Sequence, residues 1–214
     1  MLREIGMQSL WQPEGDKPEK GSLMVILHGR GDSVEGFSRF KSELAIPGLS
    51  VLLLNAPDPY YDGFSWYDLP PNQLPGIIRS RNLLRSTFDQ IFKWGFSPER
   101  TFLFGFSQGC LMTLEFGGRY EKCLAGYIGV SGYCYDPALL ISEADKAVMK
   151  GDWLITHGTT DSVLDCKKTR DQMTDLKAAG FNLEFKEYEK DHTIDPKKEL
   201  PMIREWITQR LVCS

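Results

Sequence analysis

Gly105-Phe106-Ser107-Gln108-Gly109 is the segment of this chain whose residue types and spacing point most directly to chemistry. It follows an apolar run, Thr101–Phe104, and precedes an amphipathic one, Cys110–Tyr120. A serine on a sharp turn between a strand and a helix holds its hydroxyl clear of the sheet. Glycines on either side let the two elements approach closely. A serine so placed can act as a nucleophile in acyl transfer. Gly-Phe-Ser occurs four times, beginning at 36, 63, 95 and 105, but only the last carries the second glycine between a strand-like and a helix-like segment. The bland alternative is an ordinary serine in a glycine-lined turn.

Acyl transfer also needs donors for a developing oxyanion, a base and an acid to orient the base. Leu27-His28-Gly29-Arg30-Gly31-Asp32 directly follows the apolar run Leu23–Leu27. A glycine-rich turn there can aim an N–H into the site, and the Arg30 amide is the best placed. The Gln108 amide, just after the serine, would be the second donor. Two rival readings of the turn are weaker. Gly29-x-Gly31-x-x-Val34 with Glu43 approximates a dinucleotide fingerprint but lacks its third glycine. Arg30-Gly31-Asp32 is also an integrin-type tripeptide.

Three histidines, at 28, 157 and 192, limit the search for the base. His28 lies in the oxyanion turn and suits a structural hydrogen bond. His157 ends the run Asp152–Thr156; it can reach the site but fits a supporting role better. His192 lies between the final strand and the last helix, where the order Ser…Asp…His places the base, and it is favoured. For the acid, Asp161 on the loop after His157 is favoured. Asp165 reads as a helix cap, and Asp191 would have to fold back onto its neighbour's ring.

The elements that must hold these residues follow from hydropathy. Short apolar runs, Leu23–Leu27, Val51–Leu54, Thr101–Phe104, Leu124–Val130, Asp152–Thr156 and Asn182–Tyr188, are expected strands. A short first strand is expected near Ile5–Trp11. Helical patterns cover Val34–Leu44, Ile77–Trp94, Cys110–Tyr120, Cys166–Ala179 and Pro196–Val212. The alternation implies an α/β fold with a doubly wound, mostly parallel sheet and helices on both faces, in one domain over residues 1–214. Pro57–Pro75 and Tyr133–Gly151 are expected to be irregular. The first brings Tyr60, Tyr61, Phe64, Trp66 and Tyr67 close to the oxyanion turn. Phe64, Trp66 and Tyr67 are therefore candidates for a substrate-pocket wall; the alternative is a loop packed shut on its own aromatics.

Composition narrows the function classes. Hydrophobic residues make up 42% and charged residues 25%, an ordinary globular balance. Lys plus Arg is 25 against 29 Asp plus Glu, a net charge of −4, so there is no general pull toward nucleic acid. No apolar run is long enough for a membrane span, and the N-terminus has an early acid and no apolar core of a signal peptide. Five cysteines in irregular spacing, without C-x-x-C, suggest reduced thiols and a cytoplasmic setting rather than a disulfide or zinc framework.

In order, Leu-His-Gly-x-Gly-Asp at 27–32, Asn-Ala-Pro at 55–57, Trp-Tyr-Asp at 66–68, Gly-Phe-Ser-Gln-Gly at 105–109, His-Gly-x-x-Asp at 157–161 and the late His192 resemble the phospholipase/carboxylesterase family of α/β-hydrolases, the acyl-protein-thioesterase-like serine esterases. The resemblance spans about residues 22–212. It implies Ser107, Asp161 and His192 as a triad, the Arg30 and Gln108 amides as an oxyanion hole, a small-molecule ester or thioester substrate, and no metal or organic cofactor. The aromatic 57–75 loop, and Arg30 where family members often carry an apolar residue, favour short-to-medium acyl chains. The alternatives are a lysophospholipase or acyl-protein thioesterase acting on long chains, a peptidase, and a non-catalytic binding protein on the same scaffold.

Overall fold

Successive residues of a buried strand face opposite sides of the sheet, so near-continuous apolar runs call for a cover on both sides. The computed structural model describes residues 5–211. In chain order the elements are β1 (Ser9–Gln12), β2 (Ser22–Leu27), α1 (Phe40–Leu44), β3 (Leu49–Leu54), β4 (Asp58–Tyr60), β5 (Gly63–Ser65), α2 (Gln73–Lys93), β6 (Thr101–Phe106), α3 (Gln108–Gly117), β7 (Gly126–Val130), α4 (Pro137–Glu143), α5 (Lys146–Met149), β8 (Trp153–Gly158), α6 (Cys166–Ala178), β9 (Leu183–Tyr188) and α7 (Glu199–Leu211). Seven strands form one sheet in the order β1-β3-β2-β6-β7-β8-β9. Only β1 is antiparallel to its neighbour.

Leu23, Val25 and Leu27 of β2 face a core shared with α2, α3 and α6, through Ile77, Leu84, Phe88, Leu111, Leu114, Met173 and Leu176. Met24 and Ile26 face the other core, with Phe40 and Leu44 of α1 and Ile203, Trp206 and Ile207 of α7. All ten residues of α3 are buried, as expected of a helix enclosed on every side. The chain leaving β3 passes back across β2 to reach β6. The crevice at the carboxyl ends of β2 and β6 is therefore a topological switch point, where open α/β sheets bind ligands.

Some local expectations give way to tertiary packing. Val34, Phe37, Phe40 and Leu44 all reach the core, but only Phe40–Leu44 is helical. Over 33–35 the backbone N–H groups bond to side chains instead: Asp32 Oδ1 accepts from Ser33 N–H, Asn55 Oδ1 from Val34 N–H and Ser33 Oγ from Glu35 N–H. The two expected irregular stretches contain a β4–β5 hairpin and the first turn of α2, and the short helices α4 and α5. The side chains of Asp136 and Asp145 cap α4 and α5. Among the described residues Cys110, Cys123, Cys134 and Cys166 are free. Cys213, and Val212 at the expected end of the last helix, lie outside the described residues. No helix among the described residues is long and apolar enough to cross a membrane.

Candidate active site

Ser107 joins β6 to α3 with φ 54° and ψ −114°, a left-handed conformation that costs a non-glycine residue about 1–3 kcal/mol. The neighbouring glycines permit it. A Cβ on Gly105 would stand 2.1 Å from the Gly109 carbonyl oxygen, and one on Gly109 would stand 2.1 Å from that of Leu27. Both obstacles are backbone, so neither can rotate away. The G-x-S-x-G spacing is thus the steric condition for bringing β2, β6 and α3 together at this point.

His192 Nδ1 lies 2.8 Å from Asp161 Oδ2, and His192 Nε2 lies 2.9 Å from Ser107 Oγ. Asp161 is fully shielded, and its other oxygen accepts the N–H groups of Val163 and Leu164 at 2.9 and 2.8 Å. Burial opposes ionisation of Asp161. The Leu164 and Val163 amides and the His192 ring outweigh it and hold the carboxyl below its ordinary range. An ionised carboxylate only accepts, so Nδ1 carries the proton and donates to Asp161, and Nε2 accepts from the Ser107 hydroxyl. Asp191 ties the two loops together: its Oδ1 accepts from Ser162 N–H, Ser162 Oγ–H and His192 N–H, each at 2.8 Å.

The other histidines are occupied elsewhere. Ala56 N–H donates to His28 Nε2 at 3.1 Å, so Nδ1 bears the proton and donates to the Gly29 carbonyl at 2.6 Å. Burial lowers the pKa of His28 and keeps it neutral. His157 Nε2 lies 3.2 Å from the Leu164 carbonyl and 3.4 Å from Asp161 Oδ2, against the 161–164 loop. Asp165 caps α6 by accepting from Lys167 N–H.

Arg30 and Gln108 line the same cleft as Ser107 and His192. Among the described residues neither backbone amide has an acceptor. Gly31 N–H donates to Phe64 O at 2.8 Å and Phe64 N–H to Asp32 O at 2.9 Å, which fixes the turn that carries Arg30. The Gln108 side chain also holds the 57–75 loop. Its Oε1 accepts from Trp66 N–H and Ser65 Oγ–H, and its Nε2 donates to Tyr67 O.

The cleft measures about 270 Å³ and is walled by Tyr67, Leu69, Tyr133, Val163 and Leu164. A second hollow of about 300 Å³ shares Leu69, Tyr133 and Leu164 and runs on to Tyr135 and Lys168. Tyr133 lines both, and Gln73 Nε2 donates to its Oη at 2.5 Å. Of the three expected pocket residues, the structure brings only Tyr67 to the wall. Trp66 is fully buried, with its indole N–H donating to the His28 carbonyl at 2.9 Å. Phe64 pairs with Asp32 and lies 6.5 Å from the His28 ring. Both residues brace the 28–32 turn, Trp66 through its indole and Phe64 through its backbone pairing with Gly31 and Asp32. Tyr133, Leu164, Leu69 and Val163 were not singled out from the sequence. The available signal was position: Tyr133 and Leu164 follow β7 and β8 on loops at the carboxyl ends of parallel strands.

Trp66→Ala is accordingly expected to act on stability. Removing a fully buried tryptophan costs about 3–5 kcal/mol, and urea unfolding should show a correspondingly lower midpoint. An unchanged midpoint would show that the ring does not brace the turn.

A mostly parallel sheet covered on both faces, with a left-handed serine on the strand–helix turn at its switch point, defines an α/β-hydrolase. Residues 13–211 match the phospholipase/carboxylesterase family model, and the chain belongs to that family. It is an enzyme, a serine hydrolase of the carboxylesterase type. Carboxylesterase SOBER1 of Arabidopsis thaliana is 31% identical over 208 residues, covering 89% of this chain and 91% of that protein. Acyl-protein thioesterase 1 of Schizosaccharomyces pombe is 30% identical over 156 residues, covering 67% of this chain and 70% of that protein. The crystal structure of Arabidopsis SOBER1 superposes with a TM-score of 0.81 at 29% identity, covering 89% of this chain and 99% of that one.

Proposed function

We propose that Ser107 is the nucleophile, His192 the general base and Asp161 its orienting acid, in the hydrolysis of carboxylic esters or thioesters with short-to-medium acyl chains. The observation that carries this reading is the unbroken chain from Ser107 Oγ through His192 to Asp161, at 2.9 and 2.8 Å. His192 Nε2 takes the hydroxyl proton as Ser107 Oγ attacks the carbonyl carbon. The oxyanion that forms is stabilised by the N–H groups of Arg30 and Gln108. The imidazolium then gives its proton to the departing alcohol or thiol, leaving an acyl-serine. A water molecule, deprotonated by His192, attacks that ester; the oxyanion re-forms on the same amides, and its collapse returns Ser107 with its proton. A fluorophosphonate probe should form one adduct, on Ser107, located by mass mapping of peptides. Labelling elsewhere, or none on folded protein, would overturn the reading.

The acyl-length preference is supported by the small size of the cleft, about 270 Å³, and by Tyr133, which lines both the cleft and the neighbouring hollow and is held by Gln73. Each added methylene that finds apolar wall is worth about 0.8 kcal/mol, so kcat/KM should climb roughly fourfold per carbon and then fall. Tyr133→Ala should move the optimum to longer chains by opening the second hollow. The kinship with acyl-protein thioesterases supports a second reading, in which long chains pass beneath Tyr133 in the native enzyme. An unaltered enzyme whose kcat/KM climbs steadily out to palmitoyl esters would favour that reading.

A further inference from the structure

Of the residues that line the cleft around Ser107, Arg30 is the one that bears a permanent charge. Asp161 contributes no exposed charge, being fully shielded behind His192. Arg79, Arg85, Arg119 and Arg170 are each paired with a carboxylate, whereas Arg30 has none within ion-pair distance among the described residues. Its guanidinium is nevertheless held in place. Nη2 donates to Tyr60 Oη at 2.7 Å, and Cζ lies 4.2 Å from the centroid of the same ring. The β4–β5 hairpin that presents Tyr60 is itself joined to the Arg30 turn, through Gly31 N–H to Phe64 O and Phe64 N–H to Asp32 O. A cation held on a residue of the cleft lining, with no carboxylate at ion-pair distance among the described residues, keeps guanidinium donors for an anionic group beside the cleft. The planar fork of such a group suits a carboxylate.

We propose that Arg30 determines specificity in this enzyme by binding a carboxylate carried on the ester substrate, beside the oxyanion turn. This rests on Ser107 being the nucleophile. One residue then serves two ends: its main-chain N–H receives the oxyanion, and its side chain positions the substrate's anion one side-chain length away. Tyr60 is a positioning residue that acts through Arg30. The carboxylate can belong to the acyl group or to the alcohol, and matched substrate pairs distinguish the two.

The acyl arm compares the 4-methylumbelliferyl hemiester of adipic acid with 4-methylumbelliferyl hexanoate. The alcohol arm compares 3-acetoxybenzoate with 3-acetoxybenzamide. In the native enzyme at low salt, the anionic member of at least one pair should show kcat/KM about tenfold above its neutral partner, the effect expected of a charge-assisted hydrogen bond. Added potassium chloride should lower that ratio. Arg30→Gln should bring it to one or below, and Tyr60→Phe should reduce it in part. The ratio within each pair cancels any disturbance of the Arg30 amide that affects both members alike. A native enzyme that prefers the neutral member of both pairs overturns the proposal without any variant, as does a preference that survives Arg30→Gln. If the neutral esters are still cleaved in a Ser107-dependent manner, that outcome leaves the serine-esterase reading standing. Loss of all cleavage by native protein would remove both.

Discussion

Ser107→Ala is expected to lower kcat for ester hydrolysis by roughly 10⁴- to 10⁶-fold, leaving only what substrate binding and the oxyanion donors provide. Without Oγ there is no acyl-enzyme, and His192 loses the hydroxyl whose proton it would accept at 2.9 Å. The change should leave the fold intact. The backbone at 107 is already left-handed at φ 54°, alanine and serine bear similar strain there, and the serine side chain is only half-buried. A thermal melt alongside the assay separates loss of chemistry from loss of structure. Near-native turnover by a folded Ser107→Ala protein would remove Ser107 as nucleophile.

Asp161→Asn is expected to cost about 10²- to 10⁴-fold in kcat, and the geometry gives the reason. Asp161 Oδ1 accepts from Val163 N–H and Leu164 N–H, so the amide carbonyl of an asparagine must occupy that side. Its NH₂ then faces His192 Nδ1, which is obliged to accept. The ring proton moves to Nε2, which can now only donate toward Ser107 Oγ. The substitution therefore installs the wrong tautomer as well as removing the charge that stabilises the imidazolium. Asp165→Asn is the matched control. Asp165 accepts from Lys167 N–H at the start of α6, and asparagine caps helices about as well as aspartate. Its effect should be confined to a few tenths of a kcal/mol of stability, with kcat unchanged. If Asp165→Asn were the damaging change and Asp161→Asn the silent one, the acid would have been misassigned.

The features legible from residue order were those governed by local chemistry. Gly105 and Gly109 are needed because backbone atoms stand 2.1 Å from where their Cβ atoms would be, and such a clash leaves its mark directly on residue type. The parallel sheet was readable because strands buried on both faces must be continuously apolar, and Leu23–Leu27 is. With three histidines in the chain, few bases needed to be weighed. Burial of the 34–44 apolar positions also followed from their spacing, although most of that segment is not helical.

What was not legible depends on which groups meet across long separations. Chain order could nominate His192 as the partner of Ser107, but the two lie 85 residues apart, and their 2.9 Å contact depends on β6, β7, β8 and β9 lying side by side in one sheet. The pocket wall shows the limit most clearly. Trp66 and Tyr67 are adjacent aromatics on one loop, with nothing local to distinguish them. Both are buried, but the Trp66 indole N–H is taken by the His28 carbonyl, whereas Tyr67 contributes to the cleft lining. Tyr133, on a different loop, lines the same cleft and is held by a hydrogen bond from Gln73, 60 residues away. Hydropathy and periodicity record whether a side chain is buried. Which neighbour it is buried against is settled by the sheet order and by the polar groups left to satisfy at the switch point, and these arise only when distant segments pack.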